Sequence, residues 1–468
     1  MHLQKPSKFI SVKVSNVLRS LILLYLACLS LRPTLAAESL YWRTRDNRVD
    51  ADLESWKLPK VLQAVAMSTG WKIYIEPGVA PIISTKFSDL TPAEALPRLL
   101  GGLSYALLKK NSGPARLYIY SSSVSSATEL IEPPANAHPV DADGRLTREL
   151  IVSLKPGSSA DMDALAKKLG AKVVGKLNDG TYRLEFESAA DADKAKSSLT
   201  QDEEVASVDS NYQIQKPANP ETLALASPTP LNLKPSPIGS SGQVVVGLID
   251  TAVQPQGTNV KDFLLPQQSI AGESVTDNST LNHGTAMAST IMRGVSLTAE
   301  NGQTSAKILP IDVYGSREST TTYDVARGIA AAVQAGANIV NLSLGSNLDT
   351  PYLQRMISDL HSKGVLFVGA AGNEPTTAPS YPAAYPEVVA VTAGDRNGKL
   401  ADYANRGEFV DIIAPGSSIV NFGDKAYMGS GTSYSAAYIS GVAAGMAGVS
   451  KTTISQVETQ LRQKLGRK

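Results

Sequence analysis

Cysteine is almost absent from this sequence of 468 residues: it occurs once, as Cys28, inside an apolar stretch near the start. Disulfide bonds therefore cannot stabilise the rest of the chain, so its stability has to come from packing, with or without bound metal. An excess of positive charge is also missing, because 44 Lys and Arg residues stand against 43 Asp and Glu residues. This balance lacks the basic footprint of proteins that bind nucleic acid through its phosphates, and nucleic acid is excluded as a partner.

Long hydrophobic runs are scarce too. The apolar run at residues 21–31 is much shorter than the roughly 20 residues that a membrane-spanning helix needs. It follows a stretch with four basic residues and no acidic one, and it is closed by Ala36 and Ala37. The pattern predicts an export signal over residues 1–37, cut near Ala36 or Ala37, and hence a periplasmic or secreted protein. Lipid attachment at Cys28 is less favoured, since apolar residues continue after it.

The chain is longer than a single hydrophobic core usually grows, which predicts two or three domains. Residues 38–122 show helical and strand periods in turn, typical of a small α+β module. Its first helical stripe is formed by Leu53, Leu58, Val61, Leu62, Val65 and Ala66. Its segments LPKVLQAVAMSTGWKIYIEPG and STKFSDLTPAEALPRLLGGLSYALL resemble the short N-terminal domain of secretins and TonB-dependent transporters. The resemblance implies an envelope protein as partner. The alternative is an unrelated packing module.

Three segments follow this module. Residues 123–146 are rich in Ser, Ala, Pro and Asp and predict a linker. Residues 147–215 predict strands and helices in the order β-α-β-β-α-β, the split βαβ arrangement, with a hairpin turn at 178–180 and a last strand near residues 205–208. Residues 216–242 are rich in proline and predict a second linker, open to proteolytic processing.

From Val244 onward the pattern changes to near-continuous apolar runs separated by helical stretches, which is typical of buried parallel strands. The predicted fold class is therefore α/β: a doubly wound, mostly parallel sheet over residues 243–468, preceded by two small α+β modules. Functional sites in such folds form where the strands end.

Four residues at such strand ends and turns supply the roles that acyl transfer needs. Ser433 can act as nucleophile, His283 as the base that takes its proton, and Asp250 as the carboxylate that orients the imidazole. Asn373, with the backbone N–H of Ser433, can face the developing oxyanion. Each residue alone is a weak signal, because an Asp at a strand end is more often a cap or turn residue.

Several longer segments carry a family resemblance. The chain order Asp, His, Ser is that of subtilisins, and seven segments resemble subtilisin-like enzymes in sequence and spacing: VVVGLIDTAV, NHGTAMAST, IVNLSLGS, VGAAGNE, YPAAYPEVVAVTA, FVDIIAPG and GSGTSYSAAYISGVAA. The resemblance implies a serine endopeptidase with protein or peptide substrates, made as a zymogen whose residues 147–215 form an inhibitory propeptide that the enzyme itself removes. Residues 208–215 of that propeptide would fill the substrate subsites until they are cut.

The same resemblance implies further site residues. Ser343, Leu344 and Gly345 would pair with the substrate backbone and wall the primary specificity pocket, Ser380 would lie near its base, and Pro382 would follow a cis peptide. No metal ligand can be named. Calcium is possible as a structural ion, with Asp262 and Asp411 as weak candidates.

Two alternatives stay open from the sequence. The chain could be a catalytically silent envelope scaffold on the same fold, or an esterase that uses the same triad. The physiological substrate is not indicated.

Overall fold

The structure is a computed structural model. It describes residues 39–43, 48–69, 71–108, 115–131, 140–141, 144–177, 180–223, 231–236, 243–274, 279–395, 397–449 and 452–466. The predicted export signal lies outside these residues, as do Asn178 and Asp179 of the predicted hairpin turn. No helix among the described residues combines the length and the apolar character needed to cross a bilayer.

The N-terminal module has two sheets and two helices. Its elements are β1 (Ser39–Arg43), β2 (Arg48–Lys57), α1 (Leu58–Thr69), β3 (Lys72–Ile75), β4 (Ile82–Leu90), α2 (Pro92–Leu99), β5 (Ser104–Leu108), β6 (Arg116–Tyr120) and β7 (Glu129–Ile131). One sheet has the order β1-β2-β4 and the other β5-β6-β3-β7. Helix α2 begins with a capping box between Thr91 and Glu94, which satisfies backbone donors that the first turn leaves free.

Two expectations for this region are wrong. Leu53, which the sequence assigned to the stripe of the first helix, lies in strand β2, where Val49, Ala51 and Leu53 alternate with less buried residues. The predicted linker also begins too early, since β7 pairs with β3 and belongs to the module.

Residues 145–215 form the second unit, with elements β8 (Arg145–Leu154), α3 (Met162–Lys168), β9 (Ala171–Lys176), β10 (Thr181–Phe186), α4 (Ala189–Leu199) and β11 (Val205–Gln215). The element order is β-α-β-β-α-β, and the strands lie in the order β11-β8-β10-β9. The last strand was expected near residues 205–208 but continues to Gln215. It continues because its second half pairs with another strand, described below.

The segment after β11 is not a free linker where the structure describes it. It contains β12 (Glu221–Leu223) and β13 (Lys234–Pro235), and both pair with strands of the C-terminal domain.

The C-terminal domain is built from alternating strands and helices. Its elements are β14 (Val245–Asp250), β15 (Gln268–Ser269), α5 (His283–Ser296), β16 (Gln303–Thr304), β17 (Lys307–Asp312), β18 (Ser319–Thr321), α6 (Thr322–Gln334), β19 (Ile339–Leu342), α7 (Pro351–Ser362), β20 (Leu366–Ala370), β21 (Val388–Gly394), β22 (Ile412–Pro415), β23 (Ser417–Phe422), β24 (Lys425–Ser430), α8 (Thr432–Val449) and α9 (Ile454–Leu465).

A seven-stranded parallel sheet in the order β15-β17-β14-β19-β20-β21-β22 forms the centre of this domain. Successive side chains of one strand enter opposite cores: Val246 and Leu248 pack with α5, α8 and α9, whereas Val245 and Ile249 pack with α6 and α7. Both faces are therefore covered, which is why the strands read as continuous apolar runs. The carboxyl ends of the strands meet at one edge, where β14 ends in Asp250.

Candidate active site

Asp250 and His283 form a buried pair. The imidazole Nδ1 lies 2.8 Å from Asp250 Oδ1 and 2.9 Å from Oδ2, and both side chains are almost completely buried. A carboxylate on Nδ1 fixes the tautomer in which Nε2 is free to accept a proton. The sequence placed these residues 33 positions apart, and the fold brings them into direct contact.

Thr251 connects the two ends of this pair. Its backbone N–H donates to Asp250 Oδ1 at 2.7 Å, and its hydroxyl oxygen accepts from the backbone N–H of Gly284 at 2.8 Å. A side chain at position 284 would lie 2.2 Å from the Thr251 carbonyl oxygen, so only glycine fits there. Asn282 caps helix α5 by accepting from Thr285 N–H, which starts the helix at His283.

Ser433 is the second residue of helix α8, after the Gly431 turn, whose φ is 148°. Its hydroxyl donates to the carbonyl oxygen of Ser343 at 3.1 Å, and the Ser343 hydroxyl donates back to the Ser433 carbonyl oxygen at 3.0 Å. No hydrogen bond joins Ser433 to His283 among the described residues. The hydroxyl must therefore leave the Ser343 carbonyl before it can donate to Nε2.

The residue that follows Ser433 nevertheless lies against the imidazole ring of His283. The ring of Tyr434, the next residue, stands edge-on to the His283 ring with centroids 6.3 Å apart. Burial and the nearby Asp250 carboxylate raise the pKa of Tyr434 well above its usual value, so this phenol stays neutral beside the pair. Gly429 leaves room for it, since a side chain there would clash with the Tyr434 ring.

Asn373 is anchored through its oxygen. Oδ1 accepts from the Thr432 backbone N–H at 2.8 Å and from the Thr432 hydroxyl at 3.1 Å. In an amide side chain only the oxygen can accept from a backbone N–H, so this contact directs the Asn373 NH₂ group away from Thr432 and leaves it as a donor near Ser433. The N-terminus of α8 adds a positive dipole end at the same place.

Asn405, which the sequence did not indicate, supports the Asn373 loop. Its buried amide donates to the Ala371 carbonyl oxygen at 2.8 Å and accepts from Glu374 N–H at 2.9 Å, so it spans the turn that carries Asn373. A side chain on Gly372, which has a φ of 107°, would collide with this amide. No local motif marks position 405, because the contact arises only on folding.

Two of the pocket residues predicted from the resemblance, Gly345 and Ser380, lie against each other. Gly345 abuts Ser380, whose Oγ would be 3.3 Å from a side chain at 345, and residues Ser346 and Tyr381 exchange backbone hydrogen bonds beside them. Leu344 points its side chain into the core, so only its backbone can face a substrate. The expected cis peptide before Pro382 is confirmed.

Of the two weak calcium candidates, Asp411 has other partners for its carboxylate, and Asp262 has a partner for its backbone oxygen. Asp411 forms an ion pair with Arg462 of α9 and accepts from the Ala390 N–H, and the backbone oxygen of Asp262 accepts from the Lys307 ammonium group. The described residues contain no group of three or more His, Cys, Asp or Glu side chains that could hold a metal ion.

The chain itself crosses this site through residues 216–220, which we call the strap. Before it, β11 pairs with β18, and the Tyr314 hydroxyl donates to the Gln215 carbonyl oxygen at 3.1 Å. Within it, Lys216 N–H donates to the Glu318 carbonyl oxygen at 3.0 Å, and Asn219 Oδ1 accepts from His283 N–H at 3.1 Å. The strap therefore passes directly beside His283.

Comparison with known proteins agrees with this architecture. Residues 241–465 match the Subtilase family, and residues 133–211 match the Fervidolysin N-terminal prodomain. Thermitase of Thermoactinomyces vulgaris is 31% identical over 207 residues, which cover 42% of this chain and 72% of thermitase. The major intracellular serine protease of Bacillus subtilis is 33% identical over 214 residues, covering 42% of this chain and 67% of that protein.

A third relative, the thermophilic serine proteinase of Bacillus sp. (strain AK1), is 32% identical over 226 residues, 46% of this chain and 55% of that protein. The parallel sheet and these similarities define the class of subtilisin-like serine endopeptidases. The chain belongs to the subtilase family and carries a prodomain ahead of its subtilase domain. It spans about half the length of the Bacillus sp. relative.

Proposed function

We propose that this protein hydrolyses peptide bonds through an acyl-enzyme, with Ser433 as nucleophile, His283 as general base and acid, and Asp250 as the orienting carboxylate. The observation that carries the proposal is the buried contact of His283 Nδ1 with both Asp250 oxygens. That contact stabilises the imidazolium that forms when Ser433 loses its proton.

The oxyanion of the tetrahedral intermediate would be bound by Asn373 Nδ2 and the backbone N–H of Ser433. Support comes from the anchoring of Asn373 Oδ1 to Thr432, which orients the amide before substrate arrives. Donors that need no reorganisation during the reaction lower the barrier most. The imidazolium then protonates the leaving amine, and water repeats the sequence to release the acid.

We further propose that the protein is a zymogen that cuts its own strap. Of the bonds within it, those before Pro217 and Pro220 join a proline nitrogen, which has no N–H. The two bonds beside Ala218 have ordinary amide nitrogens, and we assign the processing site to one of them. The new N-terminus is then Ala218 or Asn219.

Ser433→Ala tests both proposals, because it removes the nucleophile and leaves the strap unchanged. The variant should accumulate as an uncut precursor, whereas the wild type should yield a shorter form that a fluorophosphonate labels. Ser435→Ala in the same helix is the matched control and should process normally if it folds. A shorter band from Ser433→Ala would contradict self-processing, and a new N-terminus other than Ala218 or Asn219 would contradict the assigned bonds.

The N-terminal segments complete the proposal. Residues 1–37 would direct export to the periplasm or the exterior, and the N-terminal module, which extends to β7, would dock to an envelope protein. Both rest on sequence patterns alone. Separation of periplasmic, membrane and culture fractions would test the first, and crosslinking of the full chain in intact cells would test the second.

A further inference from the structure

Strand β24 has two edges with different partners. On one side it pairs with β23, and on the other it pairs with β12, a strand of only three residues that enters from outside the C-terminal domain. The register of this second pairing sets Glu221 opposite Met428, Thr222 opposite Tyr427 and Leu223 opposite Ala426. We call the side of β24 that binds β12 its outer edge.

The outer edge is continuous with the candidate active site. Strand β24 ends at Ser430, three residues before Ser433, and β12 begins immediately after the strap that passes His283. The chain is thus held by strand pairing on both sides of the bonds beside Ala218: by β18 before them and by β24 after them. This is the path that an extended substrate follows through a cleft.

Removal of β12 would leave a row of backbone donors and acceptors on the outer edge. Such an edge is a template for another extended chain, which supplies the missing hydrogen bonds. The side chain of Met428 is 42% exposed even with β12 in place, so the outer edge also presents apolar surface to a bound strand. Cutting the strap releases the restraint that holds β12 there from its N-terminal side.

We propose that the outer edge of β24 binds the residues that follow the scissile bond of a protein substrate, as an added antiparallel strand. The proposal rests on the endopeptidase activity proposed above. It defines the substrate class as extended polypeptides that continue for at least five residues beyond the cut, because Leu223 is the fifth residue after Ala218. Peptides that end sooner lack the segment that β24 binds.

Two peptides with this chain's own sequence test the proposal on the processed wild-type protein. Residues 211–220, NYQIQKPANP, end before β12, and residues 211–226, NYQIQKPANPETLALA, include it. Both contain the same bonds beside Ala218. The longer peptide should be cut with kcat/KM about tenfold higher, since a few added backbone hydrogen bonds each contribute modestly. Equal values for the two peptides would overturn the proposal.

Two control peptides separate strand pairing from side-chain recognition. The longer peptide with Thr222→Pro and Leu223→Pro loses two neighbouring backbone N–H groups, which point to opposite sides of the strand, and should fall to the level of the short peptide. The longer peptide with Glu221, Thr222 and Leu223 all changed to alanine keeps its backbone and should retain the gain. A proline peptide that retains the gain, or an alanine peptide that loses it, would contradict binding as a strand.

If the endopeptidase proposal itself is wrong, neither peptide is cut and a fluorophosphonate does not label Ser433. This result differs from equal cutting of the two peptides, which would contradict only the binding of a strand to β24.

Hydrogen exchange in the full-length Ser433→Ala precursor gives a readout that does not depend on activity. Amides of residues 425–430 should be protected there and should exchange faster when Thr222→Pro and Leu223→Pro are added. Unchanged exchange would show that β12 does not cover the outer edge.

Discussion

At the scale of single residues, the site depends on side chains that only hold others in place. Thr251 ties the Asp250 turn to the start of α5, and Thr432 fixes the oxygen of Asn373. Asn405 does the same for the loop that carries Asn373. None of these three needs to touch a substrate, yet each determines where a reacting group points.

Asn405→Ala is therefore expected to lower kcat by about tenfold or more while KM changes little, because the oxyanion donor is displaced and ground-state binding is not. Loss of its two buried hydrogen bonds should also reduce the free energy of unfolding by roughly 1–3 kcal/mol. Steady-state kinetics and thermal unfolding of the processed protein measure both. Asn421→Ala, at an exposed position of β23, is the control. A kcat equal to that of the control would show that Asn405 has no positioning role.

At the scale of elements, the most informative contact is the one between the prodomain and helix α6. Thr321 caps this helix by accepting from Asp324 N–H, but the N–H of Tyr323 is satisfied by Asn211 of β11, at 3.0 Å. Asn211 is fully buried and its amide also donates to the buried Glu149 carboxylate at 2.7 Å. One prodomain side chain thus completes a helix cap of the C-terminal domain.

Asn211→Ala should weaken the hold of the prodomain after the strap is cut, because it leaves the Tyr323 N–H without this partner and removes a donor from buried Glu149. A loss of about tenfold to a hundredfold in affinity follows from the usual cost of such groups. Size-exclusion chromatography of the processed protein measures how much prodomain remains bound. Glu203→Ala, at an exposed turn of the prodomain, is the control. Equal retention in both variants would contradict the role of Asn211.

At the scale of the whole molecule, the uncut chain joins the prodomain and the subtilase domain through shared strand pairing. Strand β18 extends the prodomain sheet to five strands, and β12 extends the β23–β24 hairpin. The ion pair between Arg355 of α7 and Asp209 of β11 adds a further link at 2.7 Å. Elements that share a sheet lose these contacts together when either part unfolds.

The Ser433→Ala precursor should consequently unfold its prodomain and subtilase domain in one cooperative transition. Calorimetry, with hydrogen exchange to follow residues of β8 and β14 separately, measures this. The processed protein, freed of its prodomain, is the comparison and should have a lower midpoint, because it lacks the pairing of β11 with β18. Separate transitions for β8 and β14 in the precursor would show that the two units are not coupled.

The sequence alone was sufficient to predict the buried strands and the helices between them, and it indicated the four candidate residues Asp250, His283, Asn373 and Ser433. Those features follow from local causes: apolar runs, capping residues and turn glycines that act within a few positions. It misplaced Leu53, which lies in a strand and not in the first helix. It also described residues 216–242 as a linker, because a short strand such as β12 has no pattern of its own and forms only where a partner edge exists.

Contacts across long sequence separations were decided by the tertiary structure. The pairing of β24 with β12, the Asn211 cap on α6 and the Asn405 support of the Asn373 loop join residues from 31 to more than 200 positions apart. Hydrogen-bond partners at such distances are selected by the packing of the sheet and its helices, and no local pattern in the chain encodes them.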